Sequence, residues 1–467
     1  MKQKKGANFS EEPLNKQISS KRFLHYNPKC MIDPNPEALY LQRIKRTQIT
    51  KLIFSSKDRE WMSEGERDTL KRAVQPLGKV ARLHKNIKEF FISWRGNFES
   101  PDKDLNHLAH GLKGLRSLQK LTLKVGFSQK ITDKGLDYFM KELTRLCSLK
   151  NLSLRLSCDE RISGIGLIKI SRSLKKMVFL RNIYLYFENL SQATDKGASQ
   201  MNSSLNRLIR LEDVTLMIRC CAQITDVSLE NMGFERLVFL RSVYLDFGGC
   251  CQLTDKSIDL MTQGLKKLPN LQAMKIKLFG CPGISNLGLH FIWRIMKNLP
   301  SLRIVTLTFA NCLGITNAGF YDMKKVLKCL TLLKKLRIEF CKCLKITDDG
   351  LVDLCKVLGE AVSLENLDIS FGYCSKITDK GVKEVVDCMS KLQHLRKIGI
   401  DFSDNLNIHD TSLKNISQLL RSRTSLKKIT LCTALLLATT DEGYDDFVEE
   451  IDNLKIKIPD LEIKYRN

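Results

Sequence analysis

The sequence predicts an α/β solenoid: a parallel sheet built from one strand per unit, with a helix covering each unit on the other side. Three observations predict it. First, the motif ITDKG at Ile377–Gly381 recurs along the chain, starting at Ile131, Ile162, Ala193, Ile224, Leu253, Ile284, Ile315, Ile346, Ile377, Ile408 and Thr439. Every step is 31 residues except one of 29. Second, an L-x-x-L-x-L segment keeps the same step, as in SLQKLTLKV with Leu118, Leu121 and Leu123, and SLKNLSLRL with Leu149, Leu152 and Leu154. Third, GLDYFMKELTRLCSL places Leu136, Phe139, Met140, Leu143 and Leu146 at helical spacing, one apolar stripe per unit.

Each unit therefore reads as strand, turn, helix and return. The strand segment alternates with period two, which suits one buried face. A further apolar position two places on gives Phe187, Phe247, Phe309, Phe340, Phe371 and Phe402, an expected stacked aromatic row. The pattern extends outward to Ile87, Phe90 and Ile92 and to Ile458, Leu461 and Ile463, with Ile49, Leu52 and Phe54 as a looser match. That makes about fourteen units of about 31 residues, with atypical ends acting as caps.

The turn CSKITDKG, Cys374–Gly381, combines a thiol, lysines and a carboxylate, and its repetition decides its role. An active site would not be copied along a chain. Ile377 is expected as a buried plug, Thr378 as an N-cap, and Asp379 as an anion in the first helical turn, where the dipole favours it. Gly381 belongs to a column that is always Gly or Ser, letting adjacent units approach closely. Cys374 recurs as Cys221, Cys250, Cys281, Cys312 and Cys343, which points to turn packing. Sixteen cysteines in a chain without an apolar leader in MKQKKGANFSEEP suit free, buried thiols in a reducing compartment. No apolar run approaches the length of a membrane span. An intracellular, cytoplasmic location is expected, with the nucleus as an alternative.

These motifs resemble leucine-rich repeats, above all the cysteine-containing class of F-box/leucine-rich-repeat proteins. The long unit is similar to the ribonuclease-inhibitor-like class, whose convex side carries full helices. The resemblance implies a horseshoe with a concave parallel sheet that binds a partner. It also implies a second role, substrate recognition for a cullin-type ubiquitin ligase. An F-box would have to lie before residue 87, where PNPEALYLQRI has too few apolar residues in the wrong order. The organisation expected is a basic arm over 1–35, a cap with an outlying repeat over 36–86, regular repeats over 87–457 and a capping strand over 458–467.

On the concave side, the residue between the last two apolar positions reads Tyr184, Thr215, Tyr244, Lys275, Thr306, Arg337 and Asp368 along the middle of the chain. The next exposed column reads Tyr186, Met217, Asp246, Lys277, Thr308 and Glu339. Tyr184, Tyr186, Met217 and Tyr244 form an expected aromatic patch of the kind found at interface centres. Lys275, Lys277 and Arg337 form an expected basic stretch, followed by Glu339 and Asp368. The plain structural reading of the tyrosines is β-propensity.

The net charge of +25 raises nucleic acid or acidic surfaces as partners. A structural reading competes, because Arg145, Lys176, Arg207, Arg236, Lys267, Lys297, Lys328, Lys391 and Arg421 fall at expected helix C-termini. The concave columns also lack the continuous basic, aromatic-lined groove of single-strand binders. His107 and His110 lack a third ligand, and Cys220–Cys221, Cys250–Cys251 and Cys341-x-Cys343 lack zinc-site spacing. No P-loop, dinucleotide fingerprint or nucleophile elbow occurs. The expectation is a monomeric, non-enzymatic interaction protein without cofactor or metal.

Overall fold

The computed structural model describes residues 23–26, 50–55, 86–95, 101–126, 131–157, 161–423, 425–432, 439–457 and 462–465. Among them, fifteen strands form one open sheet in chain order, and every neighbouring pair is parallel. Eleven α-helices and two 3₁₀ turns accompany the strands. The predicted α/β class is present, and the arrangement is compatible with a solenoid. The residues Phe23–Tyr26, within the stretch assigned to an arm, pair with Lys51–Ser55. Most of the cap expected over 36–86 lies outside the described residues, as do Ile49, Ile458 and Leu461.

The repeat step reappears as strand register. Tyr184 faces Thr215, Thr215 faces Tyr244, and Tyr244 faces Lys275, each a neighbour on the next parallel strand. Apolar strand positions such as Ile183, Leu185 and Phe187 are buried against helical stripes such as Leu136, Phe139, Met140 and Leu143. One continuous core results, because no single unit has enough apolar surface to close on itself.

The ITD turns hold adjacent units together. Thr378 caps its helix, accepting from Lys380 N–H at 3.2 Å, and its own N–H and hydroxyl donate to the Asp348 carboxylate of the preceding unit at 2.9 and 2.7 Å. The same rung joins Thr132 to Asp102, Ser163 to Asp133, Thr225 to Asp195, Thr254 to Asp226, Ser285 to Asp255 and Thr440 to Asp410. Asn286 and Asn317 substitute by accepting a threonine N–H and donating to its hydroxyl. The glycine column leaves room for this carboxylate: a Cβ on Gly381 would collide with Asp348 Oδ1.

Asp379 therefore does more than face a helix dipole. It accepts the His409 N–H at 2.9 Å and the Ser412 hydroxyl of the next unit. Burial works to raise its pKa, but those donors outweigh it and hold the carboxyl below the usual range. At position 164 a glycine replaces the acid, so Thr194 has no such rung.

The cysteine column is buried and adds a second ladder. Cys374 Sγ points at Phe340 O (3.2 Å), Cys343 at Phe309 O (3.2 Å) and Cys312 at Leu278 O (2.9 Å). Asn405 takes over the position and donates to Phe371 O at 2.9 Å. Burial pushes the Cys221 and Cys343 thiols up to about 11 and Cys281 to about 12, so they stay protonated and unreactive.

One residue before this column the chain turns left-handed in eight units, at Asn189, Cys220, Gly249, Gly280, Asn311, Lys342, Tyr373 and Asp404. Gly280 isolates the backbone cost, since a Cβ there would meet nothing within 4 Å. Gly280→Ala is expected to lower stability by about 1 kcal/mol through φ alone, with Gly280→Asn costing less. Denaturant midpoints check this; equal stability of the alanine variant and the parent would refute it.

The aromatic row is realised in one half of the chain. Phe309, Phe340, Phe371 and Phe402 stack in series with ring centroids 5.8, 5.9 and 6.2 Å apart. Phe187 and Phe247 are buried but separated by Ile218, and Leu278 intervenes before Phe309. The unit two residues short of the common step forms only a 3₁₀ turn, Asp226–Leu229, where a helix was expected. Arg236 therefore does not lie at a helix C-terminus, whereas Lys297 and Lys328 do cap their helices.

Candidate functional site

The sheet face away from the helices carries the predicted columns. Three consecutive seven-residue strands, Asn151–Ser157, Asn182–Glu188 and Asp213–Arg219, begin the site, and the five-residue strands Ser242–Asp246 and Ala273–Lys277 complete it. Parallel pairing brings Tyr184 and Tyr244 to either side of Thr215, and all three side chains remain partly accessible.

Tyr186 and Met217 depart from expectation. They were assigned to an exposed column, but the structure leaves them only 4% and 7% accessible. For Tyr186 the cause is overhead packing by a charged side chain. The Arg155 guanidinium covers the Tyr186 ring, its carbon 4.2 Å from the centroid, and the Tyr186 hydroxyl donates to Glu188 at 2.5 Å. Desolvation, followed by that carboxylate, pushes the Tyr186 phenol up to about 12.

Glu188 also pairs with Arg219 at 3.5 Å, and Arg219 approaches Asp246 at 3.8 Å while lying over the Phe279 ring. Asp246 is 3% accessible. Desolvation raises its pKa, against the opposing effects of the Gly248 N–H at 3.1 Å, Arg219, Lys277 and the Tyr244 hydroxyl. Burial likewise raises the phenols of Tyr184 and Tyr244. Lys275 and Lys277 complete the group, their ammonium nitrogens 5.8 and 6.0 Å from the Tyr244 centroid.

Arg155, Arg219, Lys275 and Lys277 thus surround two carboxylates, Glu188 and Asp246. Arg155, Lys275 and Lys277 make no direct ion pair among the described residues. Sequence reasoning did not assign Arg219 and Glu188 to the site. Their signal was available: they occupy the same position on adjacent strands with opposite charge.

The predicted basic stretch does not continue to Arg337. That guanidinium is ion-paired with Glu339, two residues along its own strand. Glu339 also accepts from Thr308 at 2.7 Å, and beyond it Ser370 and Ser403 donate to Asp401 at 2.5 and 2.8 Å. Here Arg337, Glu339 and Thr308, and likewise Ser370, Asp401 and Ser403, are engaged with one another. The cavity beneath Arg337, Glu339 and Gly399 is about 10 Å³, hardly the space of one water.

His110 lies 2.5 Å from the Tyr138 hydroxyl, a contact between adjacent helices. No group of three or more metal-binding side chains converges among the described residues. No helix among those residues is long and apolar enough to cross a membrane. Compared with known proteins, the chain matches no family model and no curated protein.

Proposed function

We propose that the chain is a leucine-rich-repeat solenoid of about fourteen units, curved as a horseshoe, and that it works as a non-enzymatic scaffold whose concave sheet binds a protein. The observation that carries this reading is the group around Tyr184 and Tyr244. Two partly accessible aromatic rings stand two strands apart on one parallel sheet, flanked by Arg155, Lys275 and Lys277, which make no direct ion pair among the described residues. Tyrosine and arginine dominate interface energetics when held by well-packed surroundings. A buried layer of Tyr186, Met217 and Asp246 fixes their rotamers and reduces the entropy lost on binding. The surplus of positive charge favours a partner surface that offers carboxylates between apolar groups.

The test is affinity purification from cell extract, nuclease-treated and washed at about 0.3 M salt, where screening reaches only a few Å. A defined protein should remain, and Tyr184→Ala with Tyr244→Ala should weaken its binding at least about tenfold. If every partner is retained equally by the double variant, the patch is not the binding surface. Loss of all binding on nuclease treatment would instead favour an electrostatic nucleic-acid reading. A cullin adaptor among the retained proteins would favour ligase recruitment.

A further inference from the structure

A second surface, on the edge of the sheet where each strand begins, differs from its counterparts in the other units. Four residues before the first apolar strand position, most units carry a small polar side chain: Ser117, Ser148, Asn270, Ser301, Ser363 and Ser425. Several of these bond back to the preceding unit. Ser363 donates to Leu333 O at 2.8 Å, Ser425 to Leu395 O at 3.3 Å and Asn270 to Val238 O at 2.9 Å. Phe179 and Phe239 occupy the same position, forgo that bond, and stand 49% and 58% exposed. Packing gives no reason for a phenylalanine at either place.

The preceding position is apolar in these two units and in the unit between them, where Arg210 takes the place of phenylalanine. Val178, Ile209 and Val238 are 45%, 54% and 49% exposed. Their strands are direct neighbours, so the five side chains form one protruding ridge across steps of about 5 Å. Cations surround it. Arg210 lies over the Phe179 ring at 5.1 Å. Lys176, Arg207, Arg236 and Lys267 are exposed, with no acid partner among the described residues. Lys266, Lys267 and Arg294 line a groove of about 580 Å³ together with Glu235, and Arg294 is tied to Asp259 at 3.3 Å.

We infer that this ridge docks the protein peripherally on an anionic lipid surface. The apolar side chains protrude from loop tips and do not line a cleft, the shape that enters an acyl boundary. The surrounding lysines and arginines stand where lipid phosphates would meet them, and such cations contribute additively near an anionic leaflet. Cations at this edge recur in most units and alone would signify only helix-end charge. Leu332 and Val362 are also exposed at these two positions in later units, but singly and beside lysines paired with Glu360 and Glu365. The coincidence of acid-free cations with two exposed phenylalanines in alternate units is what sets this edge apart.

Co-sedimentation of the full chain with vesicles tests the inference. The protein should pellet with phosphatidylcholine vesicles containing about one-third phosphatidylserine, and remain in solution with phosphatidylcholine alone. Phe179→Ser with Phe239→Ser should lower partitioning at least about tenfold. The fold should tolerate this variant, because serine is the residue other units carry, and an unchanged melting curve checks that. Lys176→Glu with Lys267→Glu should lower partitioning as well, while Tyr184→Ala with Tyr244→Ala should leave it intact. The inference is overturned if the parent stays in the supernatant with anionic vesicles, or if the serine variant pellets equally well. A phenylalanine-dependent dimer that does not pellet would also overturn it, assigning the ridge to a second copy of this chain.

Discussion

Phe340→Ala is expected to destabilise the protein by about 4 kcal/mol, the middle of the range for deleting a buried aromatic ring. The Phe340 ring is fully buried between Phe309 and Phe371, with centroids 5.8 and 5.9 Å away and nearly parallel planes. Phe320 meets it edge-on at 5.3 Å. Aromatic pairs contribute about 0.5–1.5 kcal/mol each beyond their buried area, so the substitution removes three such contacts together with the transfer energy. Collapse into the void is opposed because strand pairing fixes the positions of both neighbours. Phe340→Leu should cost far less, about 1–2 kcal/mol, since Leu278 fills the equivalent site between Phe247 and Phe309 in the same core. In a chain of nearest-neighbour contacts the damage is local. Denaturant unfolding should show an early phase from the units around Phe340, while units near Tyr184 unfold at the parental midpoint. A loss below about 1 kcal/mol for the alanine variant would mean that the stack is spacing and little more.

Most of this architecture is legible in the period of the sequence alone. A step of 31 residues places the side chains of one column on neighbouring strands, and the register repeats that step from Asn151 to Asn182 and from Asn182 to Asp213. What the period concealed is what lies across it. Asp379 next to Thr378 invites a local reading as a capping dipeptide, but the aspartate reaches forward one unit and the threonine reaches back one unit. The partners are 30 residues apart in sequence and adjacent in space. The glycine column became intelligible only with that rung, because the group it admits belongs to another unit. At Asp226 the motif was intact, yet two residues were missing from the unit, and only a 3₁₀ turn forms.

The candidate site was legible to the level of column and no further. Alternation put Tyr184 and Tyr244 on the accessible face, where both remain in part open to solvent. It could not show that Arg155 would fold over Tyr186, or that Arg219 would lie between Glu188 and Asp246. Those burials come from long side chains laid across strands that extend two residues beyond their later counterparts. Arg337 is the converse case: its column is accessible, but a carboxylate on its own strand neutralises it. Charge in a column predicts position; pairing decides whether that charge is available to a partner.

The rung between Asp348 and Thr378 should prove the most consequential polar contact between units. Asp348→Ala is expected to cost about 2–3 kcal/mol, because it leaves the Thr378 N–H and hydroxyl without their charge-assisted partner. Partial exposure keeps the loss from doubling, since water can reach part of the vacated space. The chain supplies its own control. Asn286 and Asn317 make the same two contacts with an amide, accepting the N–H at 2.9 and 3.0 Å and donating to the hydroxyl at 2.8 Å. Asp348→Asn should therefore cost less than about 1 kcal/mol. Gly381 separates geometry from charge: Gly381→Ala keeps the aspartate but drives a methyl group into its oxygen, so it should be destabilising like Asp348→Ala. Because both substitutions attack one contact, the double variant should lose much less than the sum of the two. Midpoints and slopes from denaturant titration of the four proteins give that coupling directly. Simple additivity would mean that the glycine column serves helix entry alone and that the carboxylate rung does not set the approach of neighbouring units.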